Sequence, residues 1–514
     1  MENAARCKPP LTDRELEATV FPALSRWQKG TAPYDFARPS DLSLAARLEE
    51  LRPEKNGRYG WNDVGNGNLF SDLCRGVACY VPVRGKWYFY TGSRWKADTG
   101  DSNTREYCKR MTNELLAYAG RLPDGTEKEA YAKYAAKLLS LNSREKILRD
   151  ANSVAPVDLS EFDSNPYLFN CQNGTIDLKT GEFHAHDPAD RITMFASVSY
   201  DPSARCERWE QYISGIFDGD AELSVYLQKA LGYALTGDTR YECFFILYGP
   251  TSRNGKGTLR ETLLRLTGDY GKSADPTTVA LRKNNDSRNA TEDLARLVGV
   301  RFVSMSEPDK EMRFDAAKLK TITGGGSIPA RNLYENSFEY IPQFKIFLDT
   351  NHLPYISDAT LFSSDRVKVI PFNKHFEEAE RDTRLKAELQ KPENLSGILN
   401  WCIEGLKLLR AEGWKTPAAV KAAIEKYEDS SDKLKIFIDE TLQKTEDGEC
   451  EARVVHGIYQ NWCFDNGCNA EGFSEFTKSL DTKAIKVERK RPLGAGASTS
   501  KKSMIVGYTI RGNP

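Results

Sequence analysis

The stretch with the clearest chemistry is Phe244 to Thr258. An apolar run, Phe244-Phe245-Ile246-Leu247-Tyr248, leads into Gly249-Pro250-Thr251-Ser252-Arg253-Asn254-Gly255, then Lys256-Gly257-Thr258 and the leucines 259, 263, 264 and 266. A buried strand aims the loop, glycines let backbone N–H groups approach phosphate oxygens, and a lysine reaches the β/γ oxygens. The following helix presents its N-terminus to the same negative charge. The pattern implies a nucleoside triphosphate site over Gly249, Pro250, Thr251, Ser252, Arg253, Asn254, Gly255, Lys256, Gly257 and Thr258. Five residues separate Gly249 from Gly255, one more than the usual spacing. Gly257 stands where a Ser or Thr ordinarily ligates magnesium, so Thr258 is the available hydroxyl. A surface turn with an exposed lysine is the plain alternative, and three downstream motifs argue against it.

The first is Arg301-Phe302-Val303-Ser304-Met305-Ser306-Glu307, an apolar strand ending in an acid that can orient water or hold Mg²⁺ through water. In the second, Phe344-Lys345-Ile346-Phe347-Leu348-Asp349-Thr350 ends at Asn351, an amide placed to sense a γ-phosphate. Third, Ser364-Asp365-Arg366 precedes Val367-Lys368-Val369-Ile370, and a guanidinium there can stabilise transition-state charge on a neighbouring subunit. Between them, Lys320, the glycines 324–326, Arg331, Asn332 and Tyr334 offer cations and an aromatic ring to a single strand, or else form a structural hairpin.

Strands expected at 243–248, 300–305, 344–349 and 366–371, with amphipathic helices between them, predict a mainly parallel sheet covered on both faces. The fold class expected is an α/β P-loop ATPase with an AAA+-like parallel sheet, an N-terminal α+β and helical region, and a C-terminal winged-helix-like module. The divisions are 1–64, helical and linker-like; 65–239, an α+β then helical region for oligomerisation; 240–412, the ATPase; and 413–514. In the last, helices at 417–427, 431–444, 452–465 and 473–480 precede a hairpin of Ile485–Lys490 and Ile505–Ile510. Arg489, Lys490, Arg491, Lys501 and Lys502 make its tip basic, either a grip on duplex or a solvated face.

The chain has 514 residues, net charge −1 and 28% charged residues, an ordinary composition with no basic excess that would mark it as a nucleic-acid binder. A ring needs only a local positive stripe, so the balance does not exclude one. No apolar run approaches the ~20 residues that span a bilayer, and the N-terminus carries no apolar signal segment. A cytoplasmic location is expected. The eleven cysteines are scattered without metal-ligand spacing, which favours reduced, buried thiols over a zinc site.

In series, these motifs resemble a superfamily 3 helicase of the phage and plasmid replication helicase–primase group, related to the poxvirus helicase–primase. Asn170-Cys171-Gln172-Asn173-Gly174-Thr175-Ile176-Asp177-Leu178, Tyr200-Asp201-Pro202 with Trp209, and Leu231-Gly232-Tyr233-Ala234-Leu235-Thr236-Gly237 are similar to that group's segments before the ATPase. Thr323-Gly324-Gly325, Ala330-Arg331 and Thr350-Asn351-His352-Leu353-Pro354 are similar to its later motifs. The resemblance implies ATP and Mg²⁺ as cofactors, Lys256 as the Walker A lysine, Glu307 as the Walker B acid, Asn351 as sensor 1 and Arg366 as a finger acting in trans. It implies a homo-hexameric ring on single-stranded DNA or a forked duplex, with the loop at Arg331–Tyr334 tracking DNA, in a bacterial host's cytoplasm if phage-encoded. A separate primase or initiator would be a partner, and no membrane would be involved. Two departures stand out: Glu307 lacks a second adjacent acid, and Gly326 occupies a position where an acid is common. Pro10-Leu11-Thr12-Asp13-Arg14-Glu15-Leu16 resembles the linker after a primase domain, and primer synthesis is not expected. An initiator or loader ATPase that binds DNA without unwinding, or a protein that interferes with a host replisome, would carry the same four motifs.

Overall fold

The computed structural model describes residues 44–281, 292–309, 312–331, 337–465, 470–491 and 500–511. They fall into two compact units. The first ends at Phe162 and also takes in Asp187–Thr193; the second holds Asp163–His186 and the chain from Met194 onward.

In the first unit, helices Asp63–Cys74, Ser102–Arg121, Thr126–Leu138 and Leu141–Ala151 bury Leu69, Phe70, Leu73, Leu115, Tyr118, Tyr131 and Leu148 in one core. The stretch 102–151 folds as three of these helices. The first stops before Pro123, which cannot continue it, and the third starts where the Ser140 hydroxyl accepts from the Ser143 N–H at 3.2 Å. Strands β1 (Ala78–Val81), β2 (Lys86–Tyr90) and β3 (Trp95–Ala97) form an antiparallel meander. Its first turn runs through Arg84-Gly85, with Gly85 at φ +59°.

The second unit begins with a small antiparallel sheet, β4 (Leu168–Cys171), β5 (Gly174–Asp177) and β6 (Phe183–His184). Helices Glu207–Ile216 and Ala221–Ala234 then lead to β7 (Phe244–Tyr248) and β8 (Gly271–Ser273). After β9 (Phe302–Ser306) come the hairpin strands β10 (Ile328–Ala330) and β11 (Phe338–Tyr340), then β12 (Lys345–Thr350) and β13 (Val367–Pro371). Five of these strands form one wholly parallel sheet in the order β13-β7-β12-β9-β8. The four long strands match the expected runs, and β8 is an edge strand too short to show a pattern.

Strand side chains alternate between faces, and here both faces are apolar because both are covered. Phe245, Leu247, Phe302 and Phe347 share a core with Phe169, Ile176, Trp209, Leu227, Leu259 and Leu399, so the segment before residue 240 packs as part of this unit. Phe244, Ile246, Val303, Met305 and Ile346 face Val279, Leu297, Leu319 and Ile322 on the other side. Helix Pro392–Glu412 lies against helix Ala221–Ala234 at backbone distance. A Cβ on Gly232 would stand 2.4 Å from the Cys402 carbonyl oxygen, and one on Gly405 would stand 2.1 Å from that of Gln228.

Two buried cations tie this helical layer to the amino edge of the sheet. Arg301 donates to the carbonyls of Leu235 and Leu168, each at 2.8 Å, and lies over the Tyr270 ring. Lys345 donates to the carbonyls of Thr236, Asp238 and Gln343. Leu235 and Thr236 end helix Ala221–Ala234, where unpaired carbonyls attract positive charge.

The C-terminal part has its own core, including Phe437, Val455, Tyr459, Phe476, Leu480 and Ile505. Its order is helix Lys433–Thr441, strand β14 (Leu442–Glu451), helices Ala452–Asp465 and Phe473–Thr482, then β15 (Val487–Lys490) and β16 (Lys502–Ile510). The sheet is antiparallel in the order β14-β16-β15. The helix expected over 431–444 therefore stops at Thr441, and β14 is an addition. Its polar sequence, Gln443-Lys444-Thr445-Glu446-Asp447, buries little and gives no alternation. No described helix is long and apolar enough to cross a membrane. The nine described cysteines are unpaired, and all but Cys79 are buried.

Candidate nucleotide site

Three strands of the parallel sheet end side by side: β7 at Gly249, β9 at Glu307 and β12 at Asn351. Ligands bind open α/β sheets at this carboxyl edge. Because β12 lies between β7 and β9, its last residues stand between the glycine-rich loop and Glu307.

The loop is held from several sides. Gly249 N–H donates to the Thr350 carbonyl at 3.1 Å, and Phe372 N–H donates to that of Tyr248. His375 Nδ1 lies 2.8 Å from the Ser252 carbonyl, and Phe376 N–H donates to that of Arg253 at 2.9 Å. Beneath the loop, the Tyr212 hydroxyl donates to the Gly255 carbonyl at 2.8 Å. Gly255 has φ +89°, and a Cβ on Gly249 would lie 2.1 Å from Asn254 Nδ2 and 2.6 Å from the Phe372 oxygen. Asn254 is buried and donates to the Thr251 carbonyl at 2.7 Å. The helix starts at Lys256, so its first N–H groups open toward the loop.

Lys256 is 7% exposed; its ammonium donates to Asn351 Oδ1 at 2.8 Å and to the Gly249 carbonyl at 3.4 Å. Burial lowers its pKa from 10.5 to about 8, and the Asp349 carboxylate opposes that shift. Lys256 and Asn351, 95 positions apart in the chain, are thus in direct contact. Glu307 is exposed at the end of β9, with φ +53°, a costly conformation for a residue with a Cβ. Its N–H donates to the Asp349 carbonyl at 3.2 Å. Thr258 is half-buried in the first helical turn, and a Cβ added at Gly257 would meet nothing within 4 Å.

Asp349 is a site residue that sequence reasoning missed. It is buried on β12 opposite Ser306 and Leu247; Oδ2 accepts from Arg260 at 3.0 Å, while Oδ1 has no hydrogen-bond partner. Its carboxyl pKa is raised by burial, against the lowering charges of Arg260 and Lys256, and Glu307 adds repulsion. A lone acid in an apolar run carries little signal. The available one was its place two residues before Asn351.

Among the described residues no group of three His, Cys, Asp or Glu could hold a metal alone. Magnesium rarely asks for that, since it keeps waters and shares phosphate oxygens with one or two carboxylates. Glu307, Asp349 and Thr258 are oxygen donors of this kind, and the orphaned Asp349 Oδ1 fits such a group.

Other expected residues lie elsewhere. Arg366 stands at the amino end of β13, the opposite edge of the sheet, where its carbonyl accepts from Phe244 N–H. Its guanidinium is paired within the chain, to the Glu242 carboxylate and to the Thr323 hydroxyl at 2.8 Å. Lys320 is paired with Asp358 at 2.6 Å. Arg331 follows β10, while Asn332 and Tyr334 lie outside the described residues. Lys490 and Lys502 pair with Glu449 and Glu451, whereas Arg489, Arg491 and Lys501 are on the exposed surface.

Residues 67–218 match the family described as "D5 N terminal like". The "Putative helicase L207/L206" of Acanthamoeba polyphaga mimivirus is 26% identical over 417 residues, covering 74% of this chain and 43% of that protein. The "Putative helicase 121R" of Invertebrate iridescent virus 3 is 25% identical over 59% of this chain and 36% of its own length. "Primase D5" of Fowlpox virus is 22% identical over 62% and 39%. The chain spans less than half the length of these relatives. Among solved structures, the apo C-terminal region of NrS-1 aligns over 86% of this chain and 99% of its own, at 13% identity and a TM-score of 0.47. Residues 67–218 thus carry a D5-type segment, and the chain as a whole is similar to D5-like viral helicases and primases.

Proposed function

We propose that the chain is the ATP-driven motor of a replicative DNA helicase of superfamily 3, working as a homo-hexameric ring on single-stranded DNA. The observation that carries this reading is the meeting of Lys256, Asn351 and Glu307 at one carboxyl edge. There a triphosphate would find a cation, an amide and an acid around a cradle of backbone N–H groups. Lys256 leans on Asn351, and phosphates would draw it off and leave the amide to contact the γ-phosphate. Glu307, exposed and held forward by its positive φ, orients the attacking water. Glu307 and Thr258 would hold Mg²⁺ through water, and the ion would neutralise phosphate charge.

In this reading Arg366 acts on a neighbouring subunit's nucleotide after exchanging Glu242 and Thr323 for phosphate. Lys320 and Arg331, with Asn332 and Tyr334, would flank the DNA path. The C-terminal order of helix, strand, two helices and two strands supports a winged helix that would present Arg489, Lys490, Arg491, Lys501 and Lys502 to duplex DNA. The test is displacement of a strand from a forked duplex by the wild type and by Lys256→Ala. ATP-dependent displacement that the variant loses supports the motor. Hydrolysis and DNA binding without displacement would move the reading to an initiator or loader.

A further inference from the structure

The nucleotide site holds a carboxylate that the four recognised motifs do not use. Asp349 lies between the lysine and acid strands, and its chain neighbours are already committed. Thr350 accepts the loop's Gly249 N–H through its carbonyl, and Asn351 accepts Lys256 through its side chain. The carboxylate is fixed from one side only, by Arg260 on Oδ2 at 3.0 Å. Oδ1 is buried and receives no hydrogen bond. A buried acceptor left unmatched is costly, and a structural ion pair would avoid that cost by taking both guanidinium N–H groups in a fork. Arg260 instead turns its other terminal nitrogen to Glu261, 3.7 Å away. The free oxygen belongs to a side chain whose charged neighbours, besides Arg260, are Lys256 and Glu307, the two groups expected to meet phosphate and water.

We propose that Asp349 is the second acid of this site, its Oδ1 accepting a water from the shell of the nucleotide's magnesium ion beside Glu307. The inference rests on the nucleotide-site reading above. It answers a gap in the sequence, where Glu307 has no acidic neighbour: the missing carboxylate comes from the adjacent strand, at the register position of Ser306. Arg260 is then a positioning residue that fixes the carboxylate's plane and leaves one oxygen free.

The test is binding of a fluorescent, non-hydrolysable ATP analogue to the full chain, in EDTA and in excess Mg²⁺, with thermal unfolding of each variant recorded alongside. Wild type should bind in EDTA and bind more tightly with Mg²⁺. Asp349→Asn, which keeps the shape but not the charge, should lose at least about tenfold of the magnesium gain, with EDTA affinity equal or higher because a like charge beside the phosphates has gone. Arg260→Gln, which keeps the carboxylate but frees its plane, should lose clearly less of the gain than Asp349→Asn. Where Asp349→Asn does not fold, Asp349→Ser gives the same readout. A full magnesium gain in the Asp349 variants overturns the inference, as does an equal loss in Arg260→Gln, which would make the pair purely structural. Absence of any nucleotide binding by wild type would instead overturn the parent reading, and this one with it.

Discussion

The burial of Lys256 sets a pH limit on nucleotide binding. Lys256 is the cation for the phosphates, yet burial leaves its pKa at about 8. The sign follows from which state holds the proton more tightly. Triphosphate oxygens favour the charged amine, so the bound state retains a proton that the empty state gives up above about pH 8. Binding in EDTA should be flat from pH 7 to 7.5, past the terminal phosphate's own ionisation near ~6. Above pH 8 it should weaken with a slope that approaches tenfold per pH unit, or roughly 1.4 kcal/mol, reaching about thirtyfold at pH 9.5. Calorimetry in buffers of different ionisation enthalpy should show proton uptake that rises through the same range. Lys256→Arg should abolish the break, because a guanidinium stays charged throughout. Asp349→Asn should move the break below pH 8, since that carboxylate helps the lysine keep its proton. Flat affinity to pH 9.5, or a break that persists in Lys256→Arg, would refute the assignment of Lys256 as the phosphate cation.

Two further outcomes follow from steric facts at the loop and one from the far edge of the sheet. Gly249→Ala places a Cβ 2.6 Å from the backbone oxygen of Phe372, so it should cost about 1–3 kcal/mol in unfolding and abolish analogue binding; normal binding would contradict the loop geometry. Gly257→Ser enters open space in a helix, so it should raise stability by about 0.5 kcal/mol without loss of analogue affinity in EDTA. Arg366→Ala takes the guanidinium from the Glu242 carboxylate and from the buried Thr323 hydroxyl, which keeps its bond to the Leu319 carbonyl, and should destabilise the chain by about 1–2 kcal/mol in denaturant unfolding; an unchanged midpoint would mean the pairing has no hold on the fold.

What the sequence made legible is what local patterns encode. The apolar runs ending at Tyr248, Ser306 and Thr350 announced buried parallel strands, and the glycines and lysine after the first announced the loop. Contacts made between strands were not legible. Asp349 reads as a strand-end acid until β12 is seen inserted between β7 and β9, which alone brings it to Lys256 and Glu307. Arg301, Lys345 and Lys368 sit at strand starts and read as edge charges, yet all three are buried. Their burial depends on carbonyls and aromatic rings that come from far along the chain. Strand β14 escaped because its polar residues, exposed on a hairpin-like module, follow no alternation. For Arg366 the residue type and order were visible, but its edge of the sheet and its partners Glu242 and Thr323 were not.

The most direct test of the central claim is steady-state ATP hydrolysis by wild type and Lys256→Ala, each with and without single-stranded DNA. Hydrolysis by the wild type that rises with DNA and vanishes in the variant is the predicted result. No hydrolysis by wild type, or equal turnover by the variant, would contradict the account.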